Sequence, residues 1–183
     1  MKKNSKCFPL LFLILLCACA SQPKAPEKTI SADLFDSIPL GDSDSNARKA
    51  LGSPRETRLL QTGSRTQEVW LYDNQDSDHF QRAALAFDSN THRLIAKTLI
   101  INEGEAERDL LFLKENKFPS TQFETIIFPQ CRRDFFSQYA LDVNIDKGIA
   151  IEFRRDSKQV ESISWSSPQD LAARIERIRG CKQ

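Results

Sequence analysis

The chain of 183 residues predicts an α+β fold: two small units, each with helices packed on one face of an antiparallel sheet, plus a C-terminal helix. Three observations predict it. A stretch with helical spacing is followed by stretches that alternate apolar and polar residues, and this order occurs twice along the chain. The helical stretches begin at Ser or Asp and end near Gly or Pro, as helix caps do. Short polar turns divide the alternating stretches in the way hairpins require.

The elements follow in order. From Ser31 a short helix can place Leu34, Phe35 and Ile38 on one face, and Pro39-Leu40-Gly41 stops it. A second helix has Asp42 or Ser43 as its N-cap, Ala47, Ala50 and Leu51 as its inner stripe, Gly52 at its end and Pro54 beyond. The period then changes to two: strands are predicted over 57–61 and 67–72 around Gly63-Ser64, and over 83–88 and 93–101 around Ser89-Asn90-Thr91. After Asn102-Glu103-Gly104 a helix over 105–116 carries Leu110, Leu111 and Leu113. Strands follow over 123–128, 135–143, 149–155 and 160–165. Ser167-Pro168-Gln169-Asp170 opens a last helix with a capping Ser, Pro at its first position and an acid in its first turn; its stripe is Leu171, Ile175 and Ile178. An offset of about 66 residues lays Leu85 and Phe87 on Ile151 and Phe153, and Leu99 on Trp165, which leaves duplication and chance likeness both open.

The N-terminus carries an export signal. Lys2, Lys3 and Lys6 precede an apolar run over 8–16, and small residues then lead to a cysteine. That run is far shorter than the roughly 20 residues a spanning helix needs. Leu16-Cys17-Ala18-Cys19 resembles the bacterial lipobox, which implies that residues 1–18 are removed and that Cys19 becomes the acylated first residue. Two or three acyl chains, at about 0.8 kcal/mol per buried methylene, make such an anchor effectively permanent. Ala20 and Ser21 follow with no Asp at the second position; by likeness to the enterobacterial sorting pattern this implies the periplasmic face of the outer membrane. Residues 19–30 read as the lipidated end and a flexible tether, 31–103 as the first helix-on-sheet unit and 104–183 as the second.

Composition bounds the partners. The chain has 26 basic and 25 acidic residues, and three of the lysines leave with the leader, so no basic excess remains to hold nucleic acid. Of five cysteines, Cys7 and Cys17 lie in the leader and Cys19 is the lipid site. Cys131 and Cys181 remain as a pair, and an oxidising compartment makes a disulfide between them the expectation.

The first half resembles the SmpA/OmlA (BamE-like) family of outer-membrane lipoproteins. The residues are Phe35-x-x-Ile38-x-x-Gly41-Asp42-Ser43, Ala47-x-x-x-Leu51-Gly52-Ser53-Pro54, Val69-Trp70-Leu71-Tyr72 and Leu85-Ala86-Phe87-Asp88. The resemblance implies two helices on a three-stranded antiparallel sheet and a scaffold role in outer-membrane β-barrel assembly. Two such units in tandem are similar to the architecture of the β-lactamase inhibitory protein. That likeness implies a second role, an inhibitor or sensor that captures an envelope enzyme in a concave face.

No constellation points to catalysis. Ser43 and Ser45 read as helix-start residues, His79 and His92 as solvent-facing, and Asp73, Asp76 and Asp78 as a solvated loop lacking the glycine and bidentate glutamate of a calcium site. Arg132, Arg133, Arg154 and Arg155, with Arg174, Arg177 and Arg179, read as charged outer surface. Trp70, Trp165, Phe135, Phe136 and Tyr139 divide between core and partner surface in a way the sequence leaves open. The expected function is therefore a non-enzymatic, lipid-anchored protein-binding module, with no cofactor, no metal, no small-molecule substrate and no nucleic acid.

Overall fold

A computed structural model describes residues 30–62, 65–73, 80–101, 108–128 and 138–180. In chain order the elements are α1 (Ala32–Asp36), α2 (Asp44–Leu51), β1 (Glu56–Thr62), β2 (Arg65–Asp73), β3 (Phe80–Asp88), β4 (Leu94–Ile101), α3 (Leu110–Lys117), β5 (Glu124–Ile127), β6 (Tyr139–Asn144), β7 (Ile149–Arg154), β8 (Val160–Ser166) and α4 (Pro168–Arg179). The eight strands form one sheet in the order β1-β2-β3-β4-β8-β7-β6-β5, and every neighbouring pair is antiparallel.

This corrects the predicted fold class. Two separate helix-on-sheet units were expected; the residues build one continuous sheet carrying helices of only 5, 8, 8 and 12 residues. The physical reason lies in β4 and β8. Each ends a four-stranded meander and would leave a row of unpaired backbone groups, and pairing them removes two edges at once. The seam runs from Ala96↔Ser166 to Ile100↔Ser162.

Within the sheet the two meanders repeat each other's registers. Ala86 pairs with Ala96 in one hairpin and Glu152 with Ser162 in the other, and a register shift follows at Ala86/Phe87 and at Glu152/Phe153. An isolated bridge Ser43↔Arg93 before α2 has its counterpart in Asp109↔Gln159 before α3. The seam is symmetric in the same offset, since Lys97↔Trp165 and Leu99↔Ile163 exchange under it. The meanders are thus related by an approximate dyad through Thr98 and Ser164, normal to the sheet.

Helix starts are set by caps. Ser31, Ser43, Asp109 and Ser167 each accept the backbone N–H three residues on, from Leu34, Asn46, Phe112 and Asp170 respectively. The third helix begins at Leu110 and not at the predicted 105, because Asp109 is its cap and the Leu110 N–H donates to the Lys158 carbonyl.

Helices α1, α2 and α3 lie on one face of the sheet. Their Phe35, Ala47, Leu51, Leu110 and Leu113, with Ile38 just beyond α1, join Trp70, Leu85, Phe87, Leu99, Ile151 and Phe153 in one buried cluster. Helix α4 lies on the opposite face, where Leu171, Ile175 and Ile178 cover Ile126, Leu141, Val143 and Ala150. At the seam the ammonium of Lys97, only 7% exposed, donates to the carbonyls of Phe35, Asp36 and Ile38 at 3.2, 3.2 and 2.9 Å. It also faces the rings of Phe35 and Trp165. Burial pushes its pKa down, with Asp36 opposing.

Gly148, in the turn between β6 and β7, has a φ of 65° and its carbonyl accepts the Ser166 N–H at 2.9 Å. A Cβ there would collide with the Ser166 carbonyl oxygen. Gly148→Ala should therefore lower stability by about 2 kcal/mol or more, read as a shifted denaturant midpoint at constant slope; an unchanged midpoint would mean that this turn does not hold β8 in place.

Candidate interaction surface

Among the described residues, no helix covers the face of the sheet opposite α1 and α2 over β1 to β4, and in that sense the face is bare. Register places Leu71, Ala84, Thr98 and Ser164 in one row across the strands, Val69, Ala86, Ala96 and Ser166 in the next, and Asp73, Arg82, Ile100 and Ser162 in a third. Apart from the exposed Arg82, all are partly exposed, while the alternating residues Trp70, Tyr72, Ala83, Leu85 and Leu99 are buried beneath the helices. Ala84, Ala86, Ala96 and three serines make a shallow floor on which another element can approach the backbone closely. Val69, Leu71 and Ile100 give it an apolar middle. By the dyad, Val69 and Leu71 occupy the positions that Leu141 and Val143 hold beneath α4 in the other half.

Charges frame this floor in pairs. Asp73 bridges Arg55 and Arg82. Arg65 holds Asp88 at 3.3 Å and Asp170 of α4 at 3.0 Å, beside a cavity of about 300 Å³ lined also by Ala96, Ser166 and Arg177. A second cavity of about 310 Å³ lies over the seam between Thr98, Ile100, Tyr139, Glu152, Glu161 and Ser162. Burial raises the pKa of Glu152; Arg174, 3.7 Å away, opposes that and Glu161 adds to it. Glu161 accepts from Arg154 at 2.8 Å and Arg108 at 3.1 Å. In the first cavity Arg65 and Asp170 hold each other, and in the second Glu152 and Glu161 are each paired with arginines outside the lining.

The residues singled out in the sequence fall as follows. Ser43 caps α2 and shares a 2.9 Å hydrogen bond with Ser45. His92 is exposed, as expected, yet its Nδ1 lies 3.1 Å from the Asp44 carboxylate, a pairing the sequence did not announce. The Ser43 hydroxyl serves Ser45 and Asn46, and the His92–Asp44 contact is a surface hydrogen bond beside a helix cap. Trp70 and Tyr139 are buried and Trp165 packs on Phe35, so these rings are core. Arg174 and Arg179, expected as charged outer surface, are partly exposed or exposed and also reach Glu152 and Glu124 on the sheet. Cys19, Cys131, Cys181, Arg132, Arg133, Phe135, Phe136, Asp76, Asp78 and His79 lie outside the described residues. Among the described residues no group of three or more His, Cys, Asp or Glu could hold a metal ion, and no helix is long and apolar enough to cross a membrane.

Sequence reasoning missed the bare face. A signal was present: Val69-Trp70-Leu71-Tyr72 and Leu85-Ala86-Phe87 are apolar at successive positions, which in a strand means both faces lack charge.

No protein-family model matches the chain, and no curated protein matches it. Solved structures to which the chain is similar include two with TM-scores below 0.5. One is an extracellular protein containing a SCP domain from Bacillus anthracis str. Ames, at 11% identity and a TM-score of 0.44, covering 85% of this chain and 50% of that one. The other is a cysteine-rich secretory protein from Staphylococcus aureus subsp. aureus Mu50, at 10% identity and a TM-score of 0.41, covering 73% and 46%. The chain therefore spans half or less of each. The SmpA/OmlA resemblance and its tandem variant are corrected: no family model matches the chain, and the described strands build a single eight-stranded sheet where two three-stranded units were implied.

At the rim of the bare face, Asp88 accepts from the backbone N–H groups of Thr91 and Asn90, each at 3.0 Å. The Thr91 amide leads in holding its pKa below the usual 3.8, burial opposes, and the Asn90 amide and Arg65 assist. With the folded pKa lowered, the stabilisation is complete above the unfolded value and is lost as pH falls through the folded one. Asp88→Asn should flatten the acid limb of the stability profile below about pH 4; an acid limb as steep as the parent's would show that this turn does not couple to folding.

Proposed function

We propose that the chain is a lipid-anchored protein of the bacterial envelope that binds another envelope protein through the bare half of its sheet and performs no catalysis. The bare face carries this reading. A meander normally buries one face and solvates the other with polar residues, whereas here Val69, Leu71, Ala84, Ala86, Ala96 and Ile100 are partly exposed together. The equivalent surface of the other half is covered by α4.

The barrel-assembly role rested on the family resemblance alone, and no feature of the described residues bears on it. Of the roles considered, capture of an envelope enzyme by an inhibitor or sensor fits best, because a shallow apolar floor framed by paired charges suits a folded partner better than a small molecule. The anchor supports the same reading from the sequence: acylated Cys19 and a tether of about 11 residues reach roughly 35 Å, enough to hold the domain off the headgroups of the outer membrane's periplasmic face.

Two measurements test it. In intact cells, a photocrosslinker at Val69 should join the chain to an envelope protein, and Ala86→Glu, which places a charge on the partly exposed floor, should abolish the adduct while the thermal midpoint stays put. Adducts that survive Ala86→Glu would contradict a role for this face. Separately, Cys19→Ala should move the protein from salt-washed membranes to the soluble fraction; retention on the membranes would rule out the lipid anchor.

A further inference from the structure

We propose that β1 is a self-association edge, on which a second copy of this chain pairs its own β1 antiparallel about Leu59. This inference concerns the sheet's edge and does not rest on the reading above; the bare face stays bare in the pair.

The two outer strands are treated differently. β5 has four residues, Pro129 follows within two of its end, and Arg179 of α4 reaches across to Glu124 at 2.6 Å. These are devices that blunt an edge. β1 lacks them. It has seven residues in unbroken register with β2, no Pro and no Lys, and among the described residues it pairs on one side only. All its side chains from Glu56 to Gln61 are exposed, including Leu59 at 71% and Leu60 at 48%, one on each face.

The sequence of β1 is compatible with itself. Pairing about Leu59 sets Leu59 against its copy, Leu60 against Arg58, and Thr57 against Gln61, and opposes no like charges. Arg58 is already neutralised by Glu56 on its own strand, at 2.6 and 3.1 Å, so the strand offers a partner no net charge at that point while its aliphatic stem covers the facing Leu60. The geometry is one the molecule already uses. At the β4·β8 seam two four-stranded meanders join antiparallel about an axis normal to the sheet. The same operation at β1 would double the sheet and keep α1, α2 and Ile30 of both copies on one side.

The full chain in mild detergent, followed by sedimentation equilibrium, tests this. The parent should dimerise reversibly. Leu59→Lys, which sets two ammonium groups face to face at an exposed position, should weaken the dimer about tenfold or more with an unchanged unfolding midpoint. In oxidised envelopes, Leu59→Cys should give a disulfide-linked dimer of the chain, and Ile127→Cys on β5, also exposed, should not. A monomeric parent throughout the micromolar range, a dimer indifferent to Leu59→Lys, or equal linkage at both cysteines would overturn the proposal. Linkage of Leu59→Cys to a different protein would overturn it in favour of a foreign strand.

Discussion

The pairing of β4 with β8 is the constraint on which the rest of the structure depends. It closes two edges, sets the dyad through Thr98 and Ser164, and brings Lys97 of one meander beside Trp165 of the other. A buried ammonium is costly unless its hydrogen bonds are made. Here the carbonyls of Phe35, Asp36 and Ile38 make them, so the end of α1, the first meander and the second meander are tied at one atom. The same five-residue helix places Phe35 on Trp165 and Asp36 within 3.3 Å of Lys117 in α3. A helix of that length has no stability of its own, and its position records the seam.

The dyad also explains why one part of the surface is unusual. Helices α2 and α3 obey it, each entering after a matching bridge and lying on the same face. Helix α4 does not: it crosses to the other face and covers only the second meander. Two related surfaces therefore meet different fates, one buried under Leu171, Ile175 and Ile178, the other left with Val69, Leu71 and Ile100 partly in water. The functional reading stands on that broken symmetry. Charge pairs such as Arg65 with Asp170 mark where the covering helix meets the uncovered floor.

The local elements were legible in the sequence, and the reasons are local too. Ser43 with Gly52, and Ser167 with Pro168, announce helix ends through backbone groups a few residues apart, and the hairpin turn at Ser89-Asn90-Thr91 and the one between the strands expected over 149–155 and 160–165 stand where expected. Register between strands far apart in the chain was not legible. Alternation in Leu94 to Ile101 says which residues share a face, but nothing in it names β8 as the neighbour, so one sheet was read as two. The helix beginning at Leu110 was drawn too long because its true cap, Asp109, is fixed by a bridge to Gln159 some fifty residues on. Of the surface, Arg82 and Asp73 could be seen as charged, but the bare floor between them required knowing that α4 lies elsewhere. The role of Lys97 was invisible for the same reason: its three carbonyl partners are about sixty residues away in sequence.

Hydrogen exchange across the seam tests the central claim most directly. If β4 and β8 bind the two meanders into one cooperative sheet, the amides of 97–100 and 162–165 should exchange only through global unfolding, with the same denaturant dependence as those of Leu85 and Ile151 in the two hairpins. Fast exchange at the seam, with each hairpin protected to a different free energy, would show two independent units and contradict the account.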